Sequence, residues 1–471
     1  MTLAPSLRQL LSGNKVRLVL FAISILLISS SCDPLKQARA SDPTATQNKG
    51  DGNSETVDTI YWTTRPDAKS PIKNKPKPTP PPKPAVEVVV TEPEPNENVD
   101  PFEPKGNQVY DSYNIAYLLP FLTERMEGNR ISGTSETTLH FYSGAKLALY
   151  HLEEEGKKFN VSVVDSKEGI GPDIKGVLSK PSLENAHLII GLRTKAALTE
   201  TADFVKKQHK VLVSPWNPSD DIVDDNPYYV QVSPSLATHC SNILKNARER
   251  FGSDHIRLVA RSSEVSRMKY FQEANILQEG STSAPRLTEL VVPEDRDTDY
   301  GQYVLPTDTT VFIIPSWNET FVASTLRQIA MSCKGKAVVV YGMPQWQDFT
   351  KVGLDYYDRL NVHLSNSFYI DRASPKIVSF IRDFYQVYGT LPLDDAYLGY
   401  DVTLYFGRML SKHGAYFQNK LDVEPAGRLH TRFKFENIYP AGDDSFSKIK
   451  EVENKYVNIL RFGPKGFYRI N

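Results

Sequence analysis

The chain has 471 residues, with 55 Lys and Arg against 56 Asp and Glu and a formal net charge of −1. That balance argues against nucleic acid as a partner, which usually requires a basic face. Three cysteines and nine scattered histidines give no metal-ligand spacing, and neither a Walker-type glycine loop nor a Gly-x-Ser-x-Gly elbow occurs, so the sequence calls for no metal, no cofactor and no catalytic constellation.

The first residues read as an export signal. Arg8, Lys15 and Arg17 precede the apolar run Leu18 to Ile28, which has secretory length, and Ser29, Ser30 and Ser31 lead to Cys32. This arrangement resembles a bacterial lipoprotein signal, which implies cleavage of residues 1–31 and a lipid on Cys32, although Ser29 stands where a Leu is usual. An ordinary signal peptide cut at the same small residues is the plainer reading. Such an anchor would hold the protein on a membrane without a transmembrane helix. Residues 32–108 read as a disordered tether: twelve prolines fall between Pro66 and Pro104, and the run Lys75 to Pro84 favours extended polyproline II.

From residue 109 the patterns alternate. Strands are expected at 114–120, 159–164, 186–190 and 210–214. Helices are expected at 138–155, near 173–180 and at 196–208. The pattern then restarts, with helices at 235–251, 264–278 and 319–333 and strands at 256–260, 287–292, 311–314 and 337–341. A short extended segment follows at 362–370. Helices at 375–388 and 396–412 come next, and the tail reads as strands. The fold class is therefore α/β, with two doubly wound parallel-sheet lobes.

Three of the four tryptophans lie just past buried-strand runs: Val211-Leu-Val-Ser-Pro-Trp216, Val311-Phe-Ile-Ile-Pro-Ser-Trp317 and Val338-Val-Val-Tyr-Gly-Met-Pro-Gln-Trp346. Open parallel sheets bind ligands beyond the carboxyl ends of their strands, so these aromatics are candidate ligand contacts. The plainer reading has each of them capping the core.

Tyr117-Leu-Leu-Pro-Phe121, Phe141-Tyr-Ser-Gly-Ala-Lys-Leu-Ala148, Ile189-Ile-Gly-Leu-Arg-Thr194, Asn226-Pro-Tyr-Tyr-Val-Gln231 and Gly399-Tyr-Asp-Val402, in this order and spacing, resemble the type I periplasmic binding proteins, which include the branched-chain amino-acid receptors of ABC transporters. The resemblance spans about 110–430. It implies two lobes joined by a multi-strand hinge, with a ligand closing them. The first lobe would hold about 109–234 plus 367–425, the second about 235–366 plus 426–471.

The resemblance also locates an amino-acid site residue by residue. A Ser or Thr that binds the ligand carboxylate is replaced by Lys195, with Thr194 beside it. The stretch after the fourth strand, Trp216-Asn217-Pro218, lacks the family's hydroxyl, and Gln345 stands where an acidic residue often holds the ammonium. The amino-acid clamp is thus degraded. Arg193 and Lys195 at a helix start, with Trp216, Trp317 and Trp346 nearby, would favour an anionic ligand with a bulky body, such as a peptide or cell-wall fragment. Both cations also read as ordinary solvated first-turn residues.

Asp165 reads as a turn cap more than a ligand contact. Ser262 or Ser263 is a candidate helix cap, and Asp220, Asp221, Asp224 and Asp225 form an acidic loop without calcium spacing. The leading expectation is a membrane-anchored receptor for a small molecule, partnered by an ABC permease. The alternative is a non-catalytic lipoprotein that regulates peptidoglycan synthesis by contacting a cell-wall enzyme.

Overall fold

The computed structural model describes residues 110–125, 131–169, 174–281, 283–294, 296–423, 429–430, 432–439 and 449–471. The export signal, Cys32 and the tether lie outside them. No helix among the described residues is long and apolar enough to cross a membrane.

The first lobe begins with β1 (Tyr113–Leu119), α1 (Gly133–Glu154) and β2 (Phe159–Asp165), followed by β3 (Leu188–Gly191), α2 (Lys195–Gln208), β4 (Val211–Ser214) and β5 (Tyr229–Gln231). All residues of β3 and β4 are buried, as expected for central strands covered on both faces. Helix starts follow local chemistry. Ser132 accepts the Ser135 N–H at the start of α1, and Thr194 accepts the Ala197 N–H at the start of α2.

The second lobe holds α3 (Leu236–Phe251), β6 (Ile256–Arg261), α4 (Met268–Glu279), β7 (Thr288–Val292), β8 (Thr310–Ile313), α5 (Glu319–Ser332), β9 (Val338–Gly342) and β10 (Val362–Asn366). The chain then returns to the first lobe with α6 (Pro375–Tyr388) and α7 (Asp394–His413). The tail supplies β11 (Phe435–Ile438), β12 (Glu451–Asn454), β13 (Asn458–Gly463) and β14 (Gly466–Arg469).

Two seven-stranded sheets result, ordered β11-β12-β5-β4-β3-β1-β2 and β14-β13-β10-β9-β8-β6-β7. The two parallel-sheet lobes are as expected, and the place of the tail is corrected. The tail is not wholly part of the second lobe, because β12 pairs parallel to β5 through Val452 and Val230, and β11 adds antiparallel to β12. The tail strands β13 and β14 extend the second sheet antiparallel. The expected helix at 264–278 opens as a 3-10 turn over Ser262–Arg267, and regular α4 starts only at Met268. The cause is Glu264, which is buried and tied to Arg261, Arg267 and Ser316.

Among the described residues the chain passes between lobes at 232–235, 367–374 and 455–457. These crossings are cross-braced. The buried Glu453 carboxylate accepts from Ser235 N–H at 2.8 Å, from Thr238 Oγ1 at 2.6 Å and from Lys455. Buried His239 of α3 bonds Ser365 and Ser367 through its two ring nitrogens, at 3.0 and 3.1 Å.

Candidate ligand-binding cleft

A cavity of about 550 Å³ lies where both lobes and the hinge meet. The first lobe contributes Trp216 beyond β4 and Asp394, Asp395 and Leu398 of α7. The second lobe contributes Gln345, Gln347 and Asp348 from the turn after β9. The crossing at 367–374 lines it with Phe368, Tyr369 and Arg372, and His430, whose O accepts the Tyr369 N–H, lies beside them. The volume falls within the range of small-molecule sites.

Trp216 is held from three sides. Its ring packs on Phe141 with centroids 4.5 Å apart, the Arg193 guanidinium lies 4.0 Å from its centroid, and its Nε1–H donates to Asp395 Oδ1 at 2.8 Å. Asp395 also accepts from the Arg193 guanidinium at 2.9 Å, and Thr137 Oγ1 accepts a further bond from that guanidinium at 3.2 Å. Arg193 thus orients Trp216 and Asp395, while its buried Nε has no partner among the described residues. A cation over an indole face contributes about 0.5–2 kcal/mol, so the ring is held in one pose at the cavity wall.

At the start of α2 the Arg193, Thr194 and Ala197 N–H groups are already engaged within the chain. Gly191 has φ +147°, and a Cβ there would sit 1.9 Å from Leu118 O, so only glycine permits this close turn. The turn aims the Arg193 and Thr194 N–H groups at the Glu168 carboxylate, which accepts them at 3.0 and 2.7 Å. Ser166 Oγ donates to the same carboxylate at 3.0 Å. The expectation that Arg193, Thr194 and Lys195 form a vacant anion site is thus corrected: the chain's own Glu168 fills it. Lys195 is exposed and pairs with Asp221, and Thr194 serves as the cap of α2.

Asn217 is a brace. Its Nδ2–H donates to Arg193 O at 2.9 Å, and its Oδ1 accepts the Ser219 N–H at 2.9 Å. Gln345 is exposed on the cavity wall. Trp317 is 42% exposed at the carboxyl edge of the second sheet, with the Arg267 guanidinium 3.9 Å from its centroid, but it does not line this cavity. Trp346 is a correction: it is fully buried, donates Nε1–H to Ser316 O at 2.8 Å, and offers no face to a ligand.

Asp165 caps the turn after β1, accepting the N–H groups of Leu122 and Thr123 at 3.2 and 3.1 Å. Ser263 is exposed and donates to Glu294 rather than capping a helix. In the acidic loop Asp221 pairs with Lys195 and Asp225 with Lys206. Cys240 and Cys333 are buried free thiols, and burial raises both pKa values.

Several cavity residues escaped the sequence reading. Asp394 and Asp395 open α7 two residues before its expected start. His430 stacks on Phe368 at 5.1 Å, and its Nδ1 lies 2.6 Å from buried Asp401. Asp401 also accepts the N–H groups of Leu429 and His430, which fixes this hinge segment to α7. The acidic start of α7 fits a helix N-terminus and was a readable signal. The His430–Asp401 contact, 29 residues apart, was not.

A larger cavity, about 610 Å³, lies in the second lobe alone, beside Arg261, Glu294, Asp297 and Thr298. Its charges are largely consumed by one another: Arg261 pairs with Glu264 and Glu294, and Asp297 with Arg327. It does not touch the first lobe.

No family model and no curated relative matches the sequence. Solved structures do match the shape. A protein from Rhodospirillum rubrum named for branched-chain amino acid ABC transport aligns with a TM-score of 0.56 at 16% identity, covering 76% of this chain and all of that one. A protein from Silicibacter pomeroyi named for the same transport aligns with a TM-score of 0.50 at 12% identity, covering 77% of this chain and 96% of the other. The described head has the type I periplasmic binding protein fold.

Proposed function

We propose that the protein is an extracytoplasmic solute-binding receptor that holds a small molecule reversibly between its two lobes and performs no covalent chemistry. The observation that carries this reading is the 550 Å³ cavity lined by both lobes and by the hinge. A ligand touching all three stabilises the closed arrangement by its differential affinity for it. Trp216 would form one wall, Gln345 the facing wall, and Phe368 with Tyr369 the hinge side. Arg193 and Asn217 would act by holding Trp216 and its loop. Trp317 would reach only a ligand extending beyond the cavity.

The names of the two structural neighbours support delivery to an ABC permease. The lipoprotein-like signal supports attachment to the cell envelope through Cys32, with 32–108 as the spacer. The contrasting reading, a scaffold that acts on cell-wall enzymes, has less support because it has no use for an open, aromatic-lined cleft.

A thermal-shift screen of the purified protein against amino acids, amines, short peptides, nucleosides, sugars and muropeptides tests the proposal. A ligand at about a hundred times its dissociation constant adds roughly 2.7 kcal/mol to stability. The expected result is a specific hit that is lost in Trp216→Ala. A flat response from folded protein across the whole panel would sink the receptor reading.

A further inference from the structure

Resting on that receptor reading, we infer that the cleft selects an organic cation lacking a carboxylate: an amine or guanidine carried on an apolar or aromatic body. Three features of the cleft wall and of the turn that supports Trp216 behind it converge on this class.

The place where a ligand carboxylate would meet main-chain donors is already occupied. Glu168 accepts the Arg193 and Thr194 N–H groups and the Ser166 hydroxyl. A second carboxylate brought there would find these donors taken and would face a like charge, which disfavours it.

The neighbouring cations are committed as well. Arg193 is bonded to Asp395 and Thr137 and stacked on Trp216, and Lys195 is paired with Asp221. A ligand anion would have to compete with Asp395 and Asp221 for these two cations, although the buried Arg193 Nε itself has no partner among the described residues.

The wall that remains is acidic and aromatic. Asp348, Asp394 and Asp395 line the cavity, Asp395 already accepting from Trp216 and Arg193, and among the described residues Arg372 is the one Lys or Arg that lines it. Arg372 lies 3.6 Å from Asp394, and both side chains are mostly exposed, so this pair is loose. Trp216, Phe368 and Tyr369 offer ring faces beside those carboxylates. Carboxylates together with aromatic faces are the chemistry that holds ammonium and guanidinium groups. Glu168 is then a specificity residue: it rejects the parent amino acid while the acidic wall accepts the corresponding amine.

Matched pairs test this directly. Calorimetric titration of the purified protein would use agmatine against arginine, cadaverine against lysine, and tyramine against tyrosine. The expected result is that at least one amine binds ten times or more tightly than its amino acid. That binding should weaken with added salt and fall at least tenfold in Asp348→Asn or Asp394→Asn. In Glu168→Gln, checked for folding by its melting temperature, the discrimination against the amino acid should shrink.

An amino acid that binds as tightly as its amine would overturn the inference, and loss of that binding in Arg372→Gln would identify Arg372 as the carboxylate partner. In that case the receptor reading would stand. No binding by any of the six compounds would also overturn the inference. The receptor reading falls with it only where the wider panel is flat too.

Discussion

Trp346 lies flat against Gly342. A Cβ on Gly342 would come 2.4–2.6 Å from three carbons of the indole, and the indole is locked because its Nε1–H donates to Ser316 O. The last residue of β9 is therefore glycine because a tryptophan four residues later folds back over it. Buried Tyr357 completes the clamp by donating its hydroxyl to Trp346 O at 2.9 Å.

Gly342→Ala should accordingly destabilise the second lobe by about 1–3 kcal/mol, the usual scale of overpacking. Trp346→Ala should cost about 3–5 kcal/mol by opening a cavity. Both losses belong to denaturant unfolding. Ligand affinity of the folded Gly342→Ala protein should stay within about twofold of the parent, a small fraction of 1.4 kcal/mol. A large affinity loss with unchanged stability would contradict the burial of Trp346.

The crossing of α1 and α7 supports a second prediction. A Cβ at Gly144 would sit 1.8 Å from Ala396 O, and one at Gly399 would sit 1.9 Å from Phe141 O. Each glycine admits the other helix's backbone, which cannot rotate aside. Gly399→Ala should cost 3 kcal/mol or more, roughly the upper end of overpacking effects. It should also weaken ligand binding, because α7 carries Asp394 and Asp395 while Phe141 of α1 supports Trp216. Melting temperature and titration of the same variant check both halves. Unchanged stability would mean that the helices do not cross this closely.

The contrast among the three tryptophans explains how far the sequence could be read. Strands such as β4, β8 and β9 were legible because continuous apolar runs must be buried on both faces. β12 was not, since Glu451-Val-Glu-Asn454 looks like a solvated segment and is buried by its place between β5 and β11 in the first sheet. Trp216, Trp317 and Trp346 share one sequence context and end in three environments: a half-buried cleft wall, an exposed stack under Arg267, and the core. Which one applies depends on residues far away in the chain, Asp395 for Trp216 and Ser316 for Trp346. In the same way the donors at the start of α2 were found, but not their occupant, because Glu168 lies 25 residues upstream and reaches them only once β2 and β3 are placed.

The buried ionisable groups predict a narrow stability optimum. Burial lowers the His239 pKa to about 4, against a smaller opposing effect of Glu453. Burial likewise lowers His363 to about 4. The fold thus prefers both rings neutral. Their contribution is complete above the ordinary value of 6.5 and is lost as pH falls from there toward 4, by about 3 kcal/mol for each at full titration. Glu451 acts in the opposite sense: burial raises its pKa to about 8, with Lys450 opposing and Glu453 adding to the shift. The fold prefers this carboxyl protonated, so stability falls as pH rises from 4.5 toward 8. Melting temperature should peak near pH 6.5, roughly where the two losses balance. Glu451→Gln should flatten the alkaline side and steepen the acid side, where the carboxyl opposed the histidines. Equal melting temperatures for the two proteins at pH 8 would rule out the buried carboxyl as the cause.

Asp395 joins the two parts of the cleft wall, and its variants separate charge from hydrogen bonding. Its Oδ1 accepts from both Trp216 Nε1 and the Arg193 guanidinium. Asp395→Ala leaves both donors without their acceptor in a partly buried site, at a cost of about 1–3 kcal/mol. Asp395→Asn keeps a carbonyl oxygen for the indole and loses the charge that holds Arg193. Stability should therefore fall in the order parent, Asp395→Asn, Asp395→Ala. Binding should follow the same order if the fixed pose of Trp216 is what the ligand meets, with a loss of tenfold or more in the alanine variant. Arg193→Lys should also fall between the parent and Asp395→Ala, because lysine keeps the charge but loses the planar stack on the ring. Equal affinity in all four proteins would mean that the ligand does not rest on Trp216 and would move the contact surface to the Gln345 side of the cleft.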